Sequence, residues 1–311
     1  MTTMIGQGSH LPDLLAGVAP VSFQQTVPRR LVHRAAVSEV FITDVQVADE
    51  RTSHIGAQWP RAHSFFGPTA QLHDPTLLAE TIRQAGLVVA HRLFDVPADA
   101  VFVLLELTHD ISERGLRVGP GPVNLTLVGR AADIRKRKSS VAGMSMTFDC
   151  YRDGERIGGG DVRWRSVSPA SYARLRGDHH NAAHTSAIQP APVAPHLVGR
   201  HHESDVVLGA SPLPDTWLLR VDTDHPVLFD HLVDHVPGMM VVEAARQAAR
   251  LLTGRADLVP ACAAFTFARY IELDEPCIVR AERCLGDSVN VVFEQSGSVV
   301  VTAALKPLDR G

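Results

Sequence analysis

Two segments of the 311-residue chain carry acid, base and amide side chains at a spacing that one helical face can present together. Glu80, Arg83 and Gln84 form the first trio; Glu243, Arg246 and Gln247 form the second. Positions three and four apart lie side by side on a helix, so each trio shares a face. An ordinary intrahelical ion pair would have the same spacing and contribute only about 0.2–0.5 kcal/mol. Recurrence of the trio on two strongly apolar segments favours chemistry instead. On such a segment desolvation is expected to raise the pKa of Glu80 and Glu243 towards neutrality and make them general bases. Glu243 is the better candidate, because Val236-Pro237-Gly238-Met239 precedes it. Glycine permits close approach, and a helix start favours developing negative charge. Thr76 stands where the first half would need Gly238.

Each trio needs an element to hold it. Leu78, Ile82, Ala85 and Val89, and Val242, Ala245, Ala249 and Leu252, recur at helical spacing, with proline near each start. Apolar residues on the remaining faces predict mostly buried helices. Strand-like runs follow each helix. Val101–Leu105 and Val123–Val128 are followed by a hairpin turning at Arg152-Asp153-Gly154-Glu155. In the second half Val289–Phe293 turns at Gln295-Ser296-Gly297 into Val299–Ala304.

The halves are copies of one another. Residues 30–34 echo 196–200, Glu39–Ile42 echo Asp205–Leu208, and His73–Ala85 echo His235–Ala248. Three matches in one order indicate a tandem duplication. The expected division is a tail over 1–26, a first repeat over 27–176, a polar, Ala/Pro-rich linker over 177–195 and a second repeat over 196–311.

Leu31-Val32-His33-Arg34, His73-Asp74-Pro75 with Glu80-x-x-Arg83-Gln84-Ala85, Asp234-His235-Val236-Pro237-Gly238-Met239 with Glu243-Ala244-Ala245-Arg246-Gln247-Ala248, and Phe267-Ala268-Arg269-Tyr270 together resemble the A-factor biosynthesis family over about residues 27 to 304. The resemblance implies an α+β fold. It would have two tandem hotdog repeats, each a long central helix wrapped by an antiparallel sheet, packed as a pseudo-dimer. It also implies an acyltransferase that joins a β-ketoacyl group from acyl carrier protein to dihydroxyacetone phosphate. The product would be a precursor of a butenolide, γ-butyrolactone or furan-type signal. A hotdog dehydratase or thioesterase and a non-catalytic acyl-ligand binding protein are the alternatives. Dehydratases of this fold place a catalytic histidine in an earlier His-x-Pro-Gly, where this chain has Phe66 and Phe229. His235 is therefore expected at a turn or a substrate contact. With it as substrate-binding candidates stand His73, Gly238, Arg83, Gln84, Arg246, Gln247 and, for phosphate, Arg269.

Composition narrows the partners. Lys+Arg 30 against Asp+Glu 34 leaves no basic surplus for nucleic acid. No apolar run is long enough to span a membrane. The first residues lack an export signal, so a cytoplasmic protein is expected. Four cysteines without a C-x-x-C pair and two histidine doublets give no metal-ligand spacing, and neither metal nor cofactor is expected. Arg135-Lys136-Arg137-Lys138 reads either as a site for an acidic carrier protein or phosphate, or as a solvated strand end. Homodimer formation stays open.

Overall fold

Both expected helices form, and they are the centre of the molecule. The computed structural model describes residues 11, 18–137, 140–184 and 189–308, the side chains of 181–184 excepted. Helix α1 covers Thr76–Leu93 and buries nearly every residue. Short helices α2 (Glu113–Leu116) and α3 (Pro169–Arg176) follow, and α4 covers Gly238–Thr253. Gly254 ends α4 in a left-handed conformation, its N–H bonded back to the carbonyls of Arg250 and Leu251.

Twelve strands among the described residues form one antiparallel sheet around these helices. The first half supplies β1 (Ile42–Val47), β2 (Thr52–Trp59), β3 (Val101–Ile111), β4 (Val123–Arg137), β5 (Ser140–Arg152) and β6 (Glu155–Val167). The second supplies β7 (Leu208–Gly209), β8 (Thr216–Leu219), β9 (Cys262–Phe267), β10 (Cys277–Arg283), β11 (Val289–Gln295) and β12 (Ser298–Lys306). Across the sheet the order is β1-β2-β4-β5-β6-β3-β9-β12-β11-β10-β8-β7. Counted from its own edge, the second half repeats the first with every strand number raised by six. The duplication read from sequence is thus a duplication of topology: two hotdog repeats joined edge to edge. Both expected hairpin turns have two residues with positive φ, Asp153-Gly154 and Ser296-Gly297, as a two-residue turn with the twist of the sheet requires.

The seam between repeats is β3 against β9, in register from Glu106↔Thr266 to Asp110↔Cys262. Leu107 and Phe265 face each other there, both fully buried. One hydrophobic core runs across the seam and contains the inner faces of both helices. The two repeats are therefore related halves of one folded body. Leu107→Ala should cost about 2–5 kcal/mol, the usual range for an unfilled cavity. Denaturant unfolding measures this; a loss below about 1 kcal/mol would mean that the seam does not carry the packing assigned to it.

Candidate active site

Each helix presents its trio inward, and each glutamate is enclosed by donors. Glu80 is 0% exposed. Arg34 approaches its Oε1 at 2.7 Å, Arg83 donates to both oxygens at 2.8 Å, and the Gln84 amide donates at 2.6 Å. Glu243, 1% exposed, has the same surroundings from Arg200, Arg246 and Gln247. Each outer arginine also crosses to the other repeat. Arg34 donates to the Val227 carbonyl at 3.1 Å, and Arg200 to the Phe65 carbonyl.

These clamps overturn the expectation of raised glutamate pKa values. Burial does push Glu80 upward, but the charges of Arg34 and then Arg83, with the hydrogen bonds, bring it down to about 2. Glu243 is likewise held below the usual carboxylate range by Arg200 and Arg246, against its burial. A carboxylate whose oxygens are filled by guanidinium and amide donors is a poor proton acceptor. Gln84 and Gln247, expected as substrate contacts, make their hydrogen bonds within the protein. The Gln84 oxygen accepts from Phe41 N–H, and its amide donates to the Glu39 carbonyl and to Glu80. Gln247 does the same with Val207, Asp205 and Glu243. Both amides pin their helix to the segment before β1 or β7.

The pseudo-twofold sets the start of each helix against the trio of the other repeat, so two composite clefts result, and they differ. In one, Asp74 lies at the start of α1. It accepts from Thr76 N–H at 2.9 Å and from the Thr76 hydroxyl at 2.7 Å, and its second oxygen binds Arg246. Arg246 and Arg200 keep Asp74 ionised against complete burial. Only about 110 Å³ remains open there, against His73 and Arg246. His73 is buried edge-on to Trp59, and burial, then Arg152, lowers its pKa to about 4.

At the other cleft Val236 occupies the place of Asp74, no side chain caps α4, and a cavity of about 1040 Å³ opens. Its wall joins Arg34, Arg83 and Leu87 of the first repeat to His235, Gly238 and Met239 of the second. Gly238 is therefore assembled with the Glu80–Arg83 clamp and not with Glu243, the residue that follows it in sequence. A Cβ on Gly238 would come within 3.0 Å of Leu104, so glycine lets the helix start reach the sheet.

His235 lies at the centre of a polar cluster on this cavity. Its Nδ1 is 2.7 Å from Asp234 Oδ1, its side chain is 26% exposed, and Nε2 has no partner among the described residues. Burial disfavours the Asp234 charge, but hydrogen bonds from His235 and Tyr172 hold its pKa well below the usual range. Tyr172 donates to Asp234 at 2.6 Å and Arg176 at 3.0 Å; Arg176 also binds Glu272. Tyr172 and Arg176 stand four apart on α3, which Ser168 caps and Pro169 begins. Sequence reasoning missed this helix as a contributor, because it falls where the first repeat gives way to the linker. The Tyr-x-x-x-Arg spacing was the available signal. Tyr270 packs edge-on to His235 at 4.7 Å under the Arg176 guanidinium, and burial raises its pKa, keeping the hydroxyl a donor. Arg269 and Arg165 are on the cavity wall without a carboxylate partner among the described residues. Arg135, Lys136 and Arg137 are exposed at the end of β4 and line no part of it; Lys138 lies outside the described residues. Among the described residues no His, Cys, Asp or Glu cluster could hold a metal, and no helix is long and apolar enough to cross a membrane.

The Glu80 clamp gives a pH signature. A folded pKa near 2 against an ordinary 4.5 stabilises the protein above pH 4.5, and this contribution is lost as pH falls towards 2. It amounts to about 3 kcal/mol. Glu80→Gln should flatten that acid limb and cost about 3–5 kcal/mol at pH 7, because the buried Arg34 and the partly exposed Arg83 lose their carboxylate. Urea melts between pH 2 and 7 provide the comparison; an unchanged acid limb in the variant would contradict the clamp.

The A-factor biosynthesis hotdog domain family matches residues 16–168 and 182–305. A 2-oxo-3-(phosphooxy)propyl 3-oxoalkanoate synthase of Streptomyces virginiae is 45% identical over 257 residues, 83% of this chain and 87% of that protein. Proteins of the same name from Streptomyces coelicolor and Streptomyces griseus are 37% and 35% identical, over 91% and 88% of this chain and 93% of each relative. Among solved structures the chain is similar to an acyl-ACP thioesterase of Bacteroides thetaiotaomicron. That likeness covers 82% of this chain and 97% of the other, at 11% identity and TM-score 0.49. By its match over both repeats, the chain belongs to the A-factor biosynthesis hotdog family.

Proposed function

We propose that this protein transfers a β-ketoacyl group from acyl carrier protein to a hydroxyl of dihydroxyacetone phosphate, forming a 2-oxo-3-(phosphooxy)propyl 3-oxoalkanoate. The observation that carries this reading is the open cleft, where an aspartate-held histidine stands beside an uncapped helix start, in a chain 45% identical to a synthase of that product. Acyl transfer needs a base for the hydroxyl, a site for the oxyanion and a place for each substrate.

His235 replaces Glu243 and Glu80 as the base. Asp234 accepts a hydrogen bond from Nδ1–H, which leaves the lone pair on Nε2, on the cavity wall. Nε2 takes the proton of the dihydroxyacetone phosphate hydroxyl as its oxygen bonds to the thioester carbon. The tetrahedral intermediate then collapses, the carbon–sulfur bond breaks, and the imidazolium returns the proton to the departing thiolate. Asp234 stabilises the imidazolium in between.

The closed cleft supports the place of the oxyanion. There the chain sets its own negative oxygens, those of Asp74, between a helix-start N–H and an arginine of the other repeat. The corresponding groups of the open cleft are the first N–H groups of α4 and Arg83. Glu80 orients Arg83 and Arg34 without meeting substrate. Arg269 and Arg165, one from each repeat and free of carboxylates, suit the phosphate. Arg246 and His73 are on the closed side and serve the fold.

Purified protein, a β-ketoacyl-ACP and dihydroxyacetone phosphate should give the phosphorylated ester by mass spectrometry. Hydrolysis of the thioester with no ester formed would sink the proposal and favour a thioesterase. His235→Ala should lower kcat by about 10²–10⁴-fold with the melting temperature kept. Val236→Asp, which copies Asp74 into the open cleft, should abolish turnover without unfolding the protein; full activity there would remove the oxyanion assignment.

A further inference from the structure

Two buried donors on the wall of the open cavity have no partner among the described residues: the Tyr270 hydroxyl and the indole Nε1–H of Trp164. Tyr270 belongs to the His235 end. Nothing in the transfer chemistry uses Trp164. It sits on β6, 3% exposed, directly across from Leu104 of β3. Leu104 is the residue a Cβ on Gly238 would meet at 3.0 Å, so Trp164 lies one strand beyond the start of α4. Phe102 holds the indole plane edge-on at 4.8 Å. On the helix side the indole nitrogen faces Gly86 of α1, 4.0 Å from where a Cβ there would stand, with Val162 nearer still at 2.9 Å. Trp59, by contrast, gives its indole N–H to the Thr81 hydroxyl at 2.9 Å. A buried indole N–H without an acceptor is costly, and the cost is relieved by whatever brings an acceptor to it.

We propose that Trp164 is the specificity residue for the acyl group, donating from Nε1–H to the 3-oxo oxygen of a β-ketoacyl thioester. This rests on the acyl-transfer reading of the cavity. A β-ketoacyl thioester carries two carbonyls separated by one methylene. With the thioester oxygen at the start of α4, the second oxygen falls on the neighbouring stretch of wall, towards Leu104 and Trp164. A saturated acyl chain of the same length fills the same apolar surface, from Leu87 to Phe102, but leaves the donor unpaired. Discrimination against it should be about tenfold to a hundredfold.

Non-reactive pantetheine amides of a 3-oxoacyl chain and of the matched saturated chain test this on the full-length protein. Calorimetry should show wild type binding the 3-oxo amide at least tenfold more tightly, and Trp164→Phe binding both alike, with the saturated amide unchanged. The chain has 3 tryptophans, so the indole ¹H–¹⁵N resonance of Trp164 can be followed directly in wild type. It should move with the 3-oxo amide and not with the saturated one, a readout independent of whether the variant folds. Equal binding of both amides by wild type, retained discrimination in Trp164→Phe, or an indole resonance that responds equally to both would each overturn the assignment. If discrimination holds but no acyl group reaches dihydroxyacetone phosphate, the transfer proposal fails and the role of Trp164 stands.

Discussion

Two carboxylates in the middle of the core, each held between two guanidinium groups, are the constraint around which this protein is built. Burying a charge is expensive, and an ion pair offsets that expense only when its geometry is good and every remaining polar atom is satisfied. Glu80 and Glu243 are each held by an arginine from their own helix, an arginine from the segment before the sheet and the amide of a glutamine. Because Arg34 and Arg200 each also reach a carbonyl of the opposite repeat, the same clamps tie the halves together. An acid so well paired is a poor proton acceptor, and it fixes the arginines beside a cleft.

One position separates the two clefts. Asp74 at the start of α1 saturates the helix end and the arginine opposite, and that side is nearly closed. Val236 at the start of α4 does neither, and the same architecture becomes a large cavity. A duplicated fold thereby has one open cleft and one filled by its own side chains. The carboxylate of the closed side shows what kind of atom a helix start facing an arginine will accept in this fold.

The open cleft gains a feature the closed one lacks. Helix α3 leaves the first repeat and lays Tyr172 and Arg176 over Asp234, so the loop before α4 is braced by a segment remote in sequence. That brace keeps Asp234 charged and turned towards His235. It also shapes one wall of the cavity, with Tyr270 stacked beneath Arg176.

The duplication, both buried helices, the two hairpins and the family could all be read along the chain, because each depends on periodicity or spacing within a few residues. The Glu-x-x-Arg-Gln trios were legible for the same reason. Their meaning was not. Whether a buried glutamate is a base or an anchor depends on Arg34 and Arg200, which approach from about 45 residues away and are invisible to any local pattern. The pairing of Gly238 with Arg83 in place of Arg246 arises from a pseudo-twofold axis that sets each helix start against the opposite repeat. Local sequence determines which elements form and which faces they bury. Electrostatics and cleft geometry are sums over neighbours in space, and only the tertiary structure brings those neighbours together.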